Sequence, residues 1–213
     1  MPINRLIPSF AEEELLAAQG YQLVAGVDEV GRGALVGPVV AAAVILPRGM
    51  KARWLKQVRD SKQLTPAARE FLFDYIRGSA VATGTGIVDN GFIDARGIIL
   101  ATRLAMKMAI ERLAPPPQYL VVDFMALPEV ALPQKGIING DGLSFSIACA
   151  SIVAKVTRDR LMVEMDRDFP GYGLARHKGY GTREHLDCLS RLGPCPLHRR
   201  SFRPVRELME RAQ

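Results

Sequence analysis

Long apolar runs are missing from this 213-residue chain. The longest, Val39 to Leu46, falls well short of the roughly 20 residues a membrane helix needs. Met1 to Gly20 holds consecutive glutamates (Glu12, Glu13, Glu14) where a signal peptide would carry its apolar core. Cysteine is scarce. Cys149, Cys188 and Cys195 form no Cys-x-x-Cys pair and leave one over, which argues against a disulfide framework and for a reducing compartment. The glycines follow neither the G-x-G-x-x-G nor the P-loop spacing, which argues against a nucleotide cofactor. His185-x2-Cys188 and Cys195-x2-His198 have the wrong spacing for structural zinc, with Pro194 and Pro196 constraining the loop, and read as packing. No internal repeat, linker or low-complexity segment interrupts the chain. These absences predict one cytoplasmic domain over residues 1–213, a monomer with no membrane partner, in which about 182–213 form a small C-terminal helical extension.

What is present is a hydrophobic content of 48 %, enough for a substantial core, and a formal net charge of +6. That balance modestly favours a polyanionic partner. Strands are expected at Tyr21–Asp28, Val39–Leu46, Ser79–Val88, Tyr119–Val122 and Gly136–Ile138. The link from the first to the second is too short for a crossover, so those two are antiparallel. Helices are expected from Ser9 to Ala18, from a Thr65 cap to about Arg77, and from about Asp94 to Leu113 with Leu100, Leu104 and Met108 on the buried face. A long one follows from about Leu143 to Asp168, then a polar loop (Gly171–Gly181), a helix opened by Thr182 and a last one over Pro204–Arg211. Asp89-Asn90-Gly91 reads as a turn. This order predicts an α/β fold: a mixed five-stranded sheet flanked by helices on both faces.

The chain is organised around Ala25-Gly26-Val27-Asp28-Glu29-Val30-Gly31-Arg32-Gly33, an apolar strand that runs into two carboxylates and then a glycine-rich basic loop. Buried charge there needs a counter-charge. Asp123 likewise ends an apolar strand, and Asp141 precedes the long helix, whose dipole favours an anion. In open α/β sheets, sites gather beyond the C-terminal strand ends. A cluster of oxygen ligands without His or Cys suits Mg²⁺ or Mn²⁺ rather than zinc. A pair of such ions about 3.5–4 Å apart activates water and stabilises the leaving oxygen of a phosphodiester. Consecutive strand residues face opposite ways, so Glu29 can join Asp28 only if the chain bends there, which Gly31 would permit. Asp159, in a charged helical turn with Lys155, Arg158 and Arg160, reads as an ion-pair partner; His177-Lys178 reads as an exposed loop pair and Cys149 as core.

Gly26-Val27-Asp28-Glu29-Val30-Gly31-Arg32-Gly33 followed by Gly37-Pro38-Val39-Val40 resembles the signature of the bacterial ribonuclease HII family. So do Asp60-Ser61-Lys62-Gln63-Leu64, the run Ala150 to Asp159, His177-Lys178-Gly179-Tyr180 and His198-Arg199-Arg200-Ser201-Phe202. The resemblance spans roughly residues 20 to 207. It implies a ribonuclease H-like fold and divalent-metal-dependent cleavage of the RNA strand of RNA–DNA hybrids. It also implies incision at single ribonucleotides in duplex DNA, leaving 3′-hydroxyl and 5′-phosphate ends. Carried over residue by residue, the metal-binding and catalytic acids fall on Asp28, Glu29, Asp123 and Asp141. The Gly31-Arg32-Gly33 backbone falls on the loop that contacts the ribose 2′-hydroxyl, the group that separates RNA from DNA. Tyr180 falls on the tyrosine that senses the same sugar, and Ser61 and Lys62 on residues that hold a backbone phosphate. The sequence departs from the family at Phe124, where glycine is usual after the third acid, at Ala148, where serine is frequent, and at Arg59, where asparagine is common. A DNA nuclease or strand-transfer enzyme could use the same carboxylates, and a non-catalytic duplex-binding module could share the basic charge.

Overall fold

The computed structural model describes residues 7–211. Its centre is a five-stranded sheet built from β1 (Val24–Val30), β2 (Val39–Ile45), β3 (Ala82–Val88), β4 (Tyr119–Asp123) and β5 (Gln134–Ile137). The spatial order is β3-β2-β1-β4-β5. The first three strands form an antiparallel meander, while β4 adds parallel to β1 and β5 parallel to β4. The mixed sheet flanked by helices is as the sequence predicts, including the antiparallel β1–β2 pair and the edge position of β5.

One face carries α2 (Pro66–Ser79) and α5 (Phe145–Asp168), packed on Ala42 and Val44 through Leu72, Phe73, Ile76, Ile152 and Val153. α5 lies so close to β1 that a Cβ on Gly26 would collide with the backbone of Ser146 and Ile147. The other face carries α3 (Asn90–Arg96) and α4 (Ile98–Glu111), packed on Ala25, Val27, Ala41 and Ala43. The caps are local and chemically plain: the side chains of Thr65, Asp89, Ser144 and Thr182 each accept a backbone N–H in the first turn of the helix that follows. α1 (Ala11–Ala18) reaches across to α5, where Glu13 Oε1 accepts from Ser144 Oγ and from the Ser146 N–H. α6 (Leu174–His177), α7 (Arg183–Leu192) and α8 (Arg203–Arg211) complete the described chain.

Four sequence expectations change. Asp89-Asn90-Gly91 is a helix start rather than a free turn, with Asp89 as the cap. The helix expected from about Asp94 to Leu113 is two helices, separated at Gly97, whose φ of 83° breaks the run. Its buried face also differs in part. Leu100 is exposed, Leu104 and Met108 are partly buried against the core, and the fully buried stripe against the sheet is Ala101, Ala105 and Ala109. β3 supplies the reason: a Cβ on Gly84 or Gly86 would strike the backbone of Ala109 or Ala105, so small residues on both elements permit a close approach that leucine would prevent. Finally, the loop Gly171–Gly181 contains α6, and His177 within it is buried rather than exposed.

Candidate active site

Parallel pairing of β1 with β4 sets Val27 opposite Val122, so the next residue on each strand, Asp28 and Asp123, sits side by side at the same edge. β4 stops there, and the edge beyond it is open. Asp28 shares the face of Gly26, toward α5. Glu29 stays in register with β2 through Ala41, and the strand continues to Val30. The expected bend at Glu29 is therefore absent. The turn comes after Val30, at Gly31 (φ 92°). β4 pairs with β1 only as far as Val27–Val122, and the Glu29 charge is close enough to raise both Asp28 and Asp123.

Asp141 arrives on a short 3-10 turn, Gly140–Gly142, entered through Asn139 in the left-handed region. The Gly140 N–H donates to Asp123 Oδ1 at 2.7 Å and ties this turn to the end of β4. Asp28 accepts the Glu29 N–H on Oδ1 at 2.7 Å, and Ser151 of α5 works to lower its carboxyl. Ser151 in turn meets Ser61 Oγ at 3.0 Å. Ser61 is thus buried, with its hydroxyl turned to Ser151, while Lys62 next to it is exposed. Arg69 holds this stretch by donating to the Ser61 and Leu64 carbonyls.

The electrostatics of the cluster follow from crowding. Burial, then the charges of Glu29 and Asp123, hold the Asp28 carboxyl well above its usual range. Burial raises Asp123, with Glu29 adding to it and the Gly140 N–H opposing. Burial raises Asp141 too, helped by Asp60 and Asp123. Partial burial works to lower the Lys62 ammonium, but Asp60, Asp141, Asp28 and Asp123 together outweigh it and keep the group above its ordinary value. Lys62 is therefore within electrostatic reach of three of the four candidate acids.

Among the described residues no three His, Cys, Asp or Glu side chains enclose an ion by themselves. The donor set nonetheless suits a hard divalent cation. It is all carboxylate, it repels itself, and Glu29 Oε2 is buried with no hydrogen-bond partner. Glu29 Oε1 is partly answered by Arg32 at 3.2 Å.

Beside the acids, the segment 31–38 lies between two others. Ala34 bridges Tyr180 and Val36 bridges His198; the Leu35 N–H donates to Gly179, and the Arg199 N–H to Leu35. The Gly31–Gly33 loop and Tyr180, far apart in sequence, are thus neighbours. Asp159 pairs with Lys155 at 2.7 Å and Arg69 at 3.6 Å, and Cys149 is core, both as read from the sequence. Ser151, Arg69, Arg158 and Arg199 carry no assigned role in the sequence reading. Nothing in their spacing distinguishes a buried guanidinium from a solvated one.

A mixed sheet of this order, with acids where its parallel pair ends, belongs to the ribonuclease H-like class of α/β folds. The ribonuclease H2 of Pyrococcus horikoshii superposes with a TM-score of 0.75 at 27 % identity, over 89 % of this chain and 98 % of that one. The family model described as ribonuclease HII matches residues 25–205. A Dehalococcoides mccartyi ribonuclease HII is 56 % identical over 210 residues, covering 99 % of each chain. One from Geobacter metallireducens is 54 % identical over 92 % of this chain and 90 % of its own. The chain belongs to the ribonuclease HII family.

Proposed function

We propose that the protein is an endoribonuclease acting on RNA–DNA hybrids and on duplex DNA that carries single ribonucleotides, leaving 3′-hydroxyl and 5′-phosphate ends. The observation that carries this reading is the meeting of Asp28, Glu29, Asp123 and Asp141 at one open sheet edge, beside a glycine loop packed against Tyr180. Two divalent ions, Mn²⁺ or Mg²⁺, supply water activation and leaving-oxygen stabilisation when bound by those four acids. The Glu29 N–H orients the Asp28 carboxylate, and the Gly140 N–H orients that of Asp123. Lys62 meets a substrate phosphate as a point charge, and Ser61 serves it indirectly by fixing the turn that carries it. The Gly31-Arg32-Gly33 backbone and the Tyr180 ring select the ribose.

Asp123→Asn tests the assignment. It removes one ligand charge while keeping a group that can accept the Gly140 N–H. Cleavage assayed with Mg²⁺ or Mn²⁺ is expected to vanish while duplex binding survives; full activity would end the assignment. A non-catalytic duplex-binding module predicts no products at any concentration, and a DNA nuclease predicts equal cutting of all-DNA duplex.

A further inference from the structure

Arg158 and Arg199 are the two largest fully buried side chains among the described residues. Neither forms an ion pair within that set. Buried guanidinium groups without a counter-anion are costly. Burial, and for Arg199 the nearby Arg158, pushes both down, Arg199 to about 9. What offsets the cost is backbone. Arg158 donates from Nε to the Pro38 carbonyl at 3.0 Å, from Nη2 to Val36 at 3.0 Å and from Nη1 to Lys178 at 2.8 Å. Arg199 donates from Nε to Gly37 and from Nη1 to Arg32, each at 3.0 Å. The chain between β1 and β2 therefore hangs on two fixed cations, one from α5 and one from the segment before α8. Hydrogen bonds from a charged donor are roughly twice as strong as neutral ones.

This anchoring has a direction. The peptide unit is planar and trans, so a carbonyl pointing inward sends the next N–H outward. With the Arg32 carbonyl drawn to Arg199, the Gly33 N–H faces away from the core. Gly33 is exposed, and its N–H has no hydrogen-bond partner among the described residues. Arg158 sets the other parts of the same surface. A Cβ on Gly31 would collide with its guanidinium, and its Cζ lies 5.5 Å from the Tyr180 ring centre.

We propose that Arg158 and Arg199 are positioning residues for ribose selection: they aim the Gly33 N–H and hold Tyr180 against it as one rigid surface. This rests on the ribose-reading role proposed above for that loop. Arg→Lys at either position keeps the charge but cannot span two or three carbonyls.

The experiment measures affinity for two duplexes, one with a single ribonucleotide and one all DNA, in the Asp123→Asn background. That parent protein is expected to prefer the ribonucleotide duplex; if it has no preference, the ribose-reading role itself fails. Given a preference, Arg199→Lys and Arg158→Lys are each expected to reduce it by about tenfold, the size of one hydrogen bond, with affinity for all-DNA duplex unchanged. A general structural role would weaken both duplexes alike, and a preserved preference would overturn the proposal. Hydrogen exchange in the same Asp123→Asn protein gives a reading that does not depend on the arginine variants folding. The Gly33 amide should exchange freely and become protected by the ribonucleotide duplex alone. Protection by neither duplex, or by both equally, would overturn the proposal.

Discussion

Phe124 sits directly after Asp123 with φ 62°, in the left-handed region, and its side chain is 63 % exposed. An L-residue with a side chain of this size is strained there by about 1–2 kcal/mol, and no buried contact offsets it. The usual glycine of the family at this position is thus explained by backbone geometry. Gly136 approaches the same bend from β5, where a Cβ would come 3.1 Å from the Met125 carbonyl oxygen. Phe124→Gly relieves the strain but enlarges the unfolded ensemble, which takes back roughly 0.4–1 kcal/mol. The expected net gain is up to about 1.6 kcal/mol, read as a melting temperature higher by up to about 3–6 °C. A lower melting temperature would mean the phenyl ring makes contacts that matter. Ala148, another departure, is fully buried against the helix-covered face, where a methyl packs without leaving a hydroxyl to satisfy. Nothing in the structure explains Arg59.

At the scale of elements, the closest approach is that of α4 to β3. Gly84 and Gly86 face the backbone of Ala109 and Ala105, with Met108 and Arg112 alongside. Gly86→Ala forces that pair apart, an overpacking cost of about 1–3 kcal/mol. Thermal denaturation should show a melting temperature lower by at least about 3 °C; no change would mean the helix can slide freely. The same contact shows why the α4 face is only partly legible in the sequence. Leu100, Leu104 and Met108 keep a helical period, yet the fully buried stripe is alanine, chosen by the glycines opposite it, and a helix read alone does not reveal its partner. Glu29 makes the complementary point. Its neighbourhood to Asp28 and Asp123 depends on where β4 ends, a tertiary fact, whereas Asp28 and Asp123 at apolar strand ends were legible because period and chemistry lie in the same few residues.

Across the molecule, the three histidines gather in one buried cluster under the Tyr180 segment. The Cys195 N–H donates to His198 Nδ1 at 3.0 Å, which leaves the His198 proton on Nε2, facing His185 Nε2 at 3.3 Å. His185 then donates from Nδ1 to the Tyr180 carbonyl at 2.9 Å, and its ring stacks on His177 at 4.3 Å. The His198–His185 pair thus supports the residue proposed to read the ribose. The motifs carrying these residues were legible in sequence, but their union was not, since packing unites residues from three separate stretches. Burial lowers both His185 and His198, the latter to about 4, with the neighbouring histidine adding to it. The unfolded chain would take up these protons near 6.5, so this contribution to stability is full above that pH. It is lost as the pH falls from there toward about 4. Ring resonances followed by NMR should show His198 still neutral at pH 5.5, and a midpoint near 6.5 would contradict the network. The charge of the whole chain, +6, supports a polyanionic substrate without choosing one. The choice rests on the acids and the loop beside them.

The measurement that tests this most directly is a cleavage map on duplex DNA with one embedded ribonucleotide, run beside the same duplex without it. With Mg²⁺ or Mn²⁺ the account predicts a single incision at the ribonucleotide, 3′-hydroxyl and 5′-phosphate ends, and no cutting of the all-DNA duplex. Cuts scattered along the strand, or equal cutting of the two duplexes, would contradict it.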